Sequence, residues 1–331
     1  MLFLLAGTAL AQARITPQVS GVDVRLRGIS AVDANVAWAS GRGGTVLRTV
    51  DGGLNWQVSK VPGAQSLDFR DVEGFDADTA VVLSIGPGDA SRIYRTGDGG
   101  KTWSLALQNN DPRAFFDCMA FDGQRGWMLG DPVDGAFQVY ASIDGGASWK
   151  LQAAAMPQAI KDEAAFAASG TCIAITPWGQ RMVVTGGGAA RVLTDAAPAT
   201  RWLAHDTSMP ARVPAAGIFS ATAVGTDMLL MGGDFENESV GSAALVMPTG
   251  EGGLRVSRLP DPRGYRSGAA CFGDLQPRCV AVGPTGTDML LNGRWQPLSE
   301  TGYDAVDFAG NVGWASGDKG RITRIEIAPV P

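Results

Sequence analysis

An eight-residue pattern occurs three times in the first half of the chain and constrains its fold more than any other feature. The copies are Thr49–Trp56, Thr96–Trp103 and Ser142–Trp149. Each contains a hydroxyl residue, a spacer, an aspartate, two glycines and, five residues after the aspartate, a tryptophan. The aspartate can accept hydrogen bonds from its own turn, and the glycines supply positive φ values that other residues resist. The pattern therefore predicts a tight hairpin turn that the tryptophan covers.

The spacing of the copies indicates a β-propeller. Their aspartates lie 47 and then 46 residues apart, which is the length of one propeller blade. A turn that recurs in successive blades lies on the outer rim, away from any single shared site. We therefore interpret the repeated aspartates and tryptophans as structural. They are Asp51, Trp56, Asp98, Trp103, Asp144 and Trp149.

The remaining blades are predicted from a second repeat, an apolar innermost strand. Such strands are expected to start at Arg27, Arg70, Phe116, Glu163, Phe219, Ser267 and Tyr303. Short apolar runs separated by glycine-rich breaks are typical of strands and hairpins rather than helices. The chain is therefore predicted to be all-β, with one seven-bladed β-propeller domain over residues 14–331.

Closure of the ring is predicted to involve the N-terminal segment. The last blade runs out of chain after its third strand, around Ile327, whereas Arg14 to Val24 precede the first blade. We expect this segment to be the outer strand of the seventh blade, because a shared sheet protects an open edge.

The first 13 residues read as an export signal, with an apolar core and a small-residue cleavage region. The expected basic start is absent, which suggests a truncated start, and the alternative is a buried first strand. The run is too short to span a bilayer as a helix, and no later stretch is long enough either. We expect a periplasmic or secreted protein without a transmembrane segment.

Composition narrows the possible partners and cofactors. Charged residues make up 18% of the 331 residues, the net charge is −6, and there is no run of lysine or arginine. These features argue against a nucleic-acid partner. His205 is the single histidine, which argues against a histidine metal site or triad. Loops 130–135 and 232–238 combine carboxylates with glycine but lack the ligand order of a Ca²⁺ loop, so we predict solvated turns, no metal and no cofactor.

The four cysteines fit an oxidising compartment. Cys271 and Cys279 flank a short loop between two predicted strands, so we expect a local disulfide. Cys118 and Cys172 lie at non-equivalent positions of different repeats, and we expect buried free thiols.

Residues at the starts of the innermost strands are predicted to reach the mouth of the central channel. The predicted ligand-binding residues are Arg27, Arg70, Phe116, Glu163, Phe219, Arg266 and Tyr303. Arginine binds planar anions bidentately, so this ring could hold a carboxylate or a sugar. The alternative is a ring of compensating ion pairs that seals the channel. If the protein is an enzyme, the candidate catalytic residues are Glu163, Asp117, Asp131, Asp234 and Tyr303.

The repeated turns resemble the Asp-box of BNR-repeat propellers, which sialidases also contain. The chain has no Arg-Ile-Pro phrase near its start and no tyrosine–glutamate nucleophile pair, so it departs from sialidases. Four further phrases resemble bacterial relatives of the photosystem II stability/assembly factor family. They are Phe116–Phe121, Gly130–Pro132, Glu163–Ser169 and Gly232–Phe235.

The second resemblance covers nearly the whole mature chain and implies an exported seven-bladed propeller. In photosynthetic members it implies an assembly factor with an arginine-rich surface, to which Arg27, Arg70 and Arg266 would correspond. Some relatives are called oxidoreductases, but no dinucleotide-binding glycine pattern is present here.

The favoured hypothesis is a non-catalytic, monomeric binding or assembly module, with a protein segment or an acidic or carbohydrate ligand at the channel mouth. The alternative is a carbohydrate-active enzyme, a glycosidase or polysaccharide lyase, that uses carboxylates around the same channel.

Overall fold

The computed structural model describes residues 13–153, 155–196, 201–250, 252–273 and 278–328. The predicted export signal lies outside these residues except for Ala13. Within the described ranges, 30 strands form seven antiparallel sheets, and a single 3₁₀ turn at Gly88–Ala90 is the only helical element. No helix of this part of the chain has the length and apolar character needed to cross a membrane.

The N-terminal strand and the first three blades are regular. Their strands are β1 (Ala13–Gln18); β2 (Leu26–Ala31), β3 (Ala37–Gly41), β4 (Thr45–Thr49) and β5 (Gln57–Lys60); β6 (Asp68–Gly74), β7 (Ala80–Ile85), β8 (Arg92–Thr96) and β9 (Ser104–Gln108); and β10 (Phe116–Asp122), β11 (Arg125–Val133), β12 (Ala136–Ser142) and β13 (Lys150–Leu151).

The second half adds four blades. Its strands are β14 (Glu163–Ala164), β15 (Ile173–Ile175), β16 (Arg181–Val184), β17 (Gly186–Gly187), β18 (Arg191–Ala196) and β19 (Arg201–Asp206); β20 (Ala216–Val224), β21 (Asp227–Asp234), β22 (Gly241–Gly250) and β23 (Gly253–Arg258); β24 (Gly268–Phe272), β25 (Arg278–Gly283), β26 (Gly286–Leu291) and β27 (Arg294–Ser299); and β28 (Ala305–Ala309), β29 (Val312–Ser316) and β30 (Ile322–Ile327).

The all-β, seven-bladed propeller predicted from the repeats is confirmed. The first strands of neighbouring blades contact each other, as β2 does with β6 and β28. They therefore form the inner ring, and apolar side chains of adjacent sheets pack between the blades. Trp38, for example, is fully buried beside Val72 and Tyr94 of the second blade.

Strand β1 is the outer strand of the seventh blade. It pairs antiparallel with β30, from Ala13 opposite Ile327 to Gln18 opposite Ile322, and the sheet order is β1-β30-β29-β28. The Gln18 side chain extends this contact, since its Nε2 donates to the Gly52 carbonyl at 2.9 Å. Its Oε1 accepts from Trp56 Nε1 at 3.0 Å and Trp314 Nε1 at 3.2 Å. Gln18 thus connects the first rim turn to the seventh blade.

The three rim turns share one set of hydrogen bonds. In the first, Asp51 Oδ1 accepts from the exposed Asn55 N–H at 2.9 Å, and Thr49 Oγ1 accepts from the buried Gly53 N–H at 2.8 Å. Gly53 has a φ of 83°, in the region where glycine is favoured. The bonds recur in the second and third turns, as the identical sequence pattern requires.

The fourth blade departs from the prediction. Its innermost strand is β15 rather than a strand starting at Glu163, which lies in the two-residue β14. Strand β14 pairs with β17, which joins β20 of the next blade. The Glu163 carboxylate forms a buried ion pair with Arg191, at 2.8 Å to Nε. This ion pair keeps the segment that begins at Glu163 out of the innermost position of the blade. The extra residues of the fourth blade therefore come before its innermost strand, β15.

Both cysteine pairs are disulfides in the structure. The expectation of free thiols for Cys118 and Cys172 is wrong, because the two are bonded with their Cα atoms 5.9 Å apart. Cys118 lies on β10 and Cys172 directly precedes β15, and these innermost strands are neighbours in the ring. Because β15 starts at Ile173 rather than at Glu163, Cys172 lies opposite Cys118, although the two cysteines occupy different positions in the sequence repeat. Cys271 and Cys279 are bonded between facing positions of β24 and β25.

Candidate functional site

A cleft of about 410 Å³ opens where the innermost strands begin. Its lining combines cationic and aromatic side chains. The ionic residues are Arg25, Arg27, Arg70, Glu238 and Asp304, and the aromatic ones are Phe166, Phe219, Phe235 and Tyr265. The innermost strands or their approach segments supply most of these residues, and the loop after β21 supplies Phe235 and Glu238.

β-Bulges determine which side chains reach this end of the ring. In four blades the register of the innermost strand shifts near its start, leaving one extra residue in each. The extra residues are Arg27, Arg70, Asp117 and Phe219. A bulge re-aims the side chain of its extra residue, and three of these four side chains line the cleft.

The arginines of the cleft are incompletely neutralised. Arg25 binds Asp304 through two hydrogen bonds, of 3.0 Å from Nε and 2.6 Å from Nη2. The hydrogen bonding with Asp304 raises the pKa of Arg25. Arg27 is only 7% exposed, and its contacts with Asp304 and the Ala168 carbonyl are both 3.4 Å. Among the described residues, its Nε has no hydrogen-bond partner.

The environment of Arg27 favours an added anion. Burial lowers the pKa of Arg27 to about 10, and Asp304 partly offsets this effect. Arg70 donates to the Ala167 carbonyl at 2.8 Å and contacts Asp68 at 3.2 Å. A buried guanidinium with long contacts and an unused donor gains from a carboxylate, since charge-assisted hydrogen bonds are the strong ones.

The aromatic side chains form one packed group beside the arginines. Phe166 and Phe219 stack at 4.1 Å with an interplanar angle of 7°. Phe235 meets both edge-on, at 6.1 and 6.2 Å, and Tyr265 meets Phe219 at 4.7 Å. Burial raises the pKa of Tyr265, so this phenol stays neutral. Phe235 is 45% exposed and, among the described aromatic residues, is the most accessible platform.

The chain sequence places the two groups in contact. Arg70 and Arg27 bind the carbonyls of Ala167 and Ala168, which directly follow Phe166. An anionic group bound by these arginines therefore lies close to the Phe166–Phe219 stack. A ligand can contact both if its apolar group is only a few residues from its carboxylate. The cleft can bind a ligand that carries a carboxylate next to an apolar group.

Only three of the seven predicted ligand-binding residues lie in the cleft, namely Arg27, Arg70 and Phe219. Phe116 is fully buried and packs against Tyr140 at 5.5 Å. Glu163 is paired with Arg191 and also accepts from the Thr185 hydroxyl at 2.7 Å. Arg266 is fully buried and donates from Nε to Asp288 at 2.9 Å.

Tyr303 is the seventh of these residues and lies beside the cleft rather than in it. Its ring is covered by the Arg321 guanidinium at 5.8 Å. The next residue, Asp304, lines the cleft instead, and its N–H donates to the Ser316 carbonyl at 2.7 Å. Ser267 replaces Arg266 in the same way. At these two strands the predicted ligand-binding residue lies one position before the residue that lines the cleft. Successive side chains of a strand point to opposite faces, so a shift of one position takes the predicted side chain out of the cleft.

Asp131 and Asp234 are held by hydrogen bonds from backbone N–H groups, whereas Oδ2 of the buried Asp117 has no hydrogen-bond partner among the described residues. Burial, followed by the charge of Asp131, raises the pKa of Asp117 well above its usual range. Burial also raises the pKa of Asp131 to about 6, although its carboxylate accepts from the Ala165 N–H at 2.9 Å. Asp234 accepts from Glu236 and Asn237 N–H groups within its own loop. None of these three lines the cleft as described.

In the described ranges, no three His, Cys, Asp or Glu side chains come together in the way that metal ligands do. The loops at 130–135 and 232–238 instead contribute the hydrogen bonds of Asp131 and Asp234 given above.

Comparison with known proteins shows a shared fold. YCF48 bound to a D1 peptide is 15% identical, with 98% of this chain and 100% of that chain covered and a TM-score of 0.65. YCF48 from Cyanidioschyzon merolae is 17% identical, with 96% and 99% covered and a TM-score of 0.66. A catalytically inactive histidine variant of virginiamycin B lyase from Staphylococcus aureus, with quinupristin, is 10% identical, with 96% and 100% covered and a TM-score of 0.69.

No family model and no curated protein matches the chain. The resemblance to the photosystem II assembly factor is therefore supported at the level of the propeller fold.

Proposed function

We propose that this protein is a non-catalytic binding module that holds a carboxylate-bearing segment of another protein in the cleft. The buried Arg27 guanidinium carries this proposal, because its Nε is unpartnered among the described residues and its other contacts are long. The lining holds three arginines and two carboxylates, and beside it Asp68 is shared by Arg70 and Arg42. Four arginines thus face three carboxylates, which leaves one net positive charge for an acidic ligand.

The aromatic group supports a protein segment as the ligand. Phe235 offers an exposed apolar surface beside the arginines, and a peptide can present an apolar side chain and a carboxylate within one or two residues. YCF48, a propeller of the same fold, has been solved bound to a D1 peptide. A peptide ligand in this cleft agrees with that example.

The proposed setting is the periplasm or the extracellular space. The export-like first 13 residues and the two disulfides support this location, because disulfides persist in oxidising compartments.

The test is an array of immobilised random ten-residue peptides, probed with the purified protein. Bound peptides should be enriched in a carboxylate next to an apolar residue. Arg70→Ala should weaken binding about 10–100-fold, as expected for loss of charged hydrogen bonds. Arg92→Ala is the matched control, since the two side chains are 23% and 21% exposed and Arg92 lies outside the cleft.

A second variant tests the same site by a gain in affinity. Asp304→Asn removes the carboxylate that Arg25 and Arg27 share, so acidic peptides should bind more tightly and with a steeper dependence on salt. The proposal fails if Arg70→Ala and Arg92→Ala bind alike, or if the bound peptides show no acidic preference.

A further inference from the structure

The cleft continues outward across the seventh blade. A second depression of about 250 Å³ shares Arg25, Pro284 and Asp304 with the cleft. A third, of about 620 Å³, shares Asp318 and Arg321 with the second and reaches residues 18–23. We call the second and third depressions together the radial groove.

The order of strands in the seventh blade gives the groove its direction. Asp304 directly precedes β28, the innermost strand, and residues 318–321 form the connection between β29 and β30. Residues 19–23 follow β1, which is the outermost strand. The radial groove therefore runs from the channel mouth to the rim, across the end of the blade at which β28 and β30 begin and β29 and β1 end.

The lining of the radial groove fits a polar main chain better than a polyanion. Beyond the cleft, Lys319 and Arg321 are balanced by Asp23 and Asp318, so no net charge favours a nucleic acid. Arg321 is already anchored, since its Nη1 donates to the Gly302 carbonyl at 2.6 Å. At the outer end Val19 is 88% exposed and provides an apolar contact.

We propose that the radial groove holds the extended continuation of the segment whose carboxylate occupies the cleft. This inference rests on the proposed function and adds the path and the length of the bound segment. Four strands spaced about 4.8 Å apart give a path of roughly 15 Å, which about five extended residues span. The partner is thus an unstructured protein tail or loop with one acidic, apolar end.

The test uses fluorescein-labelled peptides of three and nine residues in an anisotropy titration. Both end in alanine, glutamate and leucine, and the longer one continues in serine and alanine away from this end. The nine-residue peptide should bind the wild-type protein at least about tenfold more tightly, because it gains the groove contacts. Comparison of the affinities of free-acid and amidated peptides shows whether the protein binds the terminal carboxylate or the glutamate side chain.

Variants distinguish the groove from the cleft. Val19→Asp and Arg321→Glu should weaken only the nine-residue peptide, whereas Arg70→Ala should weaken both. Ile143→Asp is the matched control for Val19→Asp, because Ile143 is 81% exposed on the third rim turn, outside the groove. If wild type binds both lengths equally and Arg70→Ala weakens both, the groove inference is wrong and the proposed function stands.

Cross-linking of a labelled peptide to the wild-type protein identifies the path of the bound peptide. A benzophenone at the end of the nine-residue peptide farthest from the glutamate should attach to residues 18–23 or 318–321. Attachment near the exposed Val213 or Val240 would show an exit over the fifth blade and overturn the path. If neither peptide binds, the proposed function and this inference fall together.

Discussion

In each rim turn the hydroxyl residue, rather than the aspartate, satisfies the buried backbone N–H. In the third turn, Gly146 N–H donates to Ser142 Oγ at 2.9 Å in a buried setting. Asp144 instead accepts from the exposed Ser148 N–H at 2.9 Å and from its hydroxyl at 2.6 Å. Exposed donors can bind water when their acceptor is removed, whereas a buried donor cannot.

Ser142→Ala should therefore destabilise the protein by about 1–3 kcal/mol, because it leaves a buried N–H without a partner. Asp144→Ala should cost less, below about 1 kcal/mol. Urea unfolding of both variants, with Ser148→Ala as the control, measures the difference. A larger cost for Asp144→Ala would mean that the carboxylate, through its hydrogen bond from the Ser142 hydroxyl, organises the turn.

Like Asp117, the carboxyl groups of Glu73, Asp71 and Asp307 lie on innermost strands and retain protons at unusually high pH. Burial raises the pKa of Glu73 to about 8, with further contributions from Asp307 and Asp71. Burial likewise raises the pKa of Asp71 to about 7 and of Asp307 to about 6. These groups favour the native state at low pH, and their contribution is lost as pH rises from about 4 to 8.

The melting temperature should therefore fall between pH 5 and pH 8. His205, whose pKa burial lowers, acts in the opposite direction, so Glu73→Gln is needed to isolate the effect. This variant should match the wild type near pH 5, where Glu73 is protonated, and melt several degrees higher at pH 8. Calorimetric scans across this range test it, and parallel curves for the two proteins would contradict it.

At the scale of elements, the strands were more predictable than their starting residues. The repeat identified a first strand in six of the seven blades, because apolar runs between glycine-rich turns leave few alternatives. A β-bulge adds one residue without altering that pattern. Alignment of Phe116 with Arg27 and Arg70 consequently missed that Asp117 is the bulge residue of its blade.

The fourth blade was mispredicted because a long-range contact overrides its local pattern. Glu163–Ala168 has the composition of an innermost strand, but the ion pair of Glu163 with Arg191 and the stacking of Phe166 on Phe219 hold it elsewhere. The cleft was missed in part for the same reason. Phe235 and Tyr265 come from a loop and an approach segment, which no repeat identifies.

The Cys118–Cys172 disulfide fastens the irregular fourth blade to the third. It spans 54 residues, compared with 8 for Cys271–Cys279. Restriction of the unfolded chain gives about 4 kcal/mol for the long loop and about 2–3 kcal/mol for the short one. Replacing Cys118 and Cys172 together by alanine should thus lower the melting temperature more than replacing Cys271 and Cys279.

Thermal melts with and without reductant test this prediction. In reductant the Cys118→Ala/Cys172→Ala protein should lose less stability than the Cys271→Ala/Cys279→Ala protein, since only the short loop remains to be opened. Equal melting of the two double variants would show that the third and fourth blades are held by packing alone.

At the scale of the whole molecule, ring closure depends on a contact between distant parts of the sequence. Strand β1 contributes six residue pairs to β30, and Gln18 bonds to the first rim turn and to Trp314. Neighbouring blades share apolar cores, such as Trp314 with Leu26 and Leu47. Loss of the closing strand therefore affects both the seventh and the first blade, and it exposes β30 as a free edge.

A protein that begins at Val19 should aggregate or melt on the order of 10 °C below the longer chain, because several kcal/mol of pairing are lost. Gln18→Ala in the longer chain is the control, since it removes the side-chain bonds and keeps the strand. It should melt between the two. Light scattering during the melt reports association through the exposed β30 edge. If the truncated protein melts with the longer chain while Ser142→Ala is strongly destabilised, the local turns rather than the β1–β30 pairing hold the ring closed.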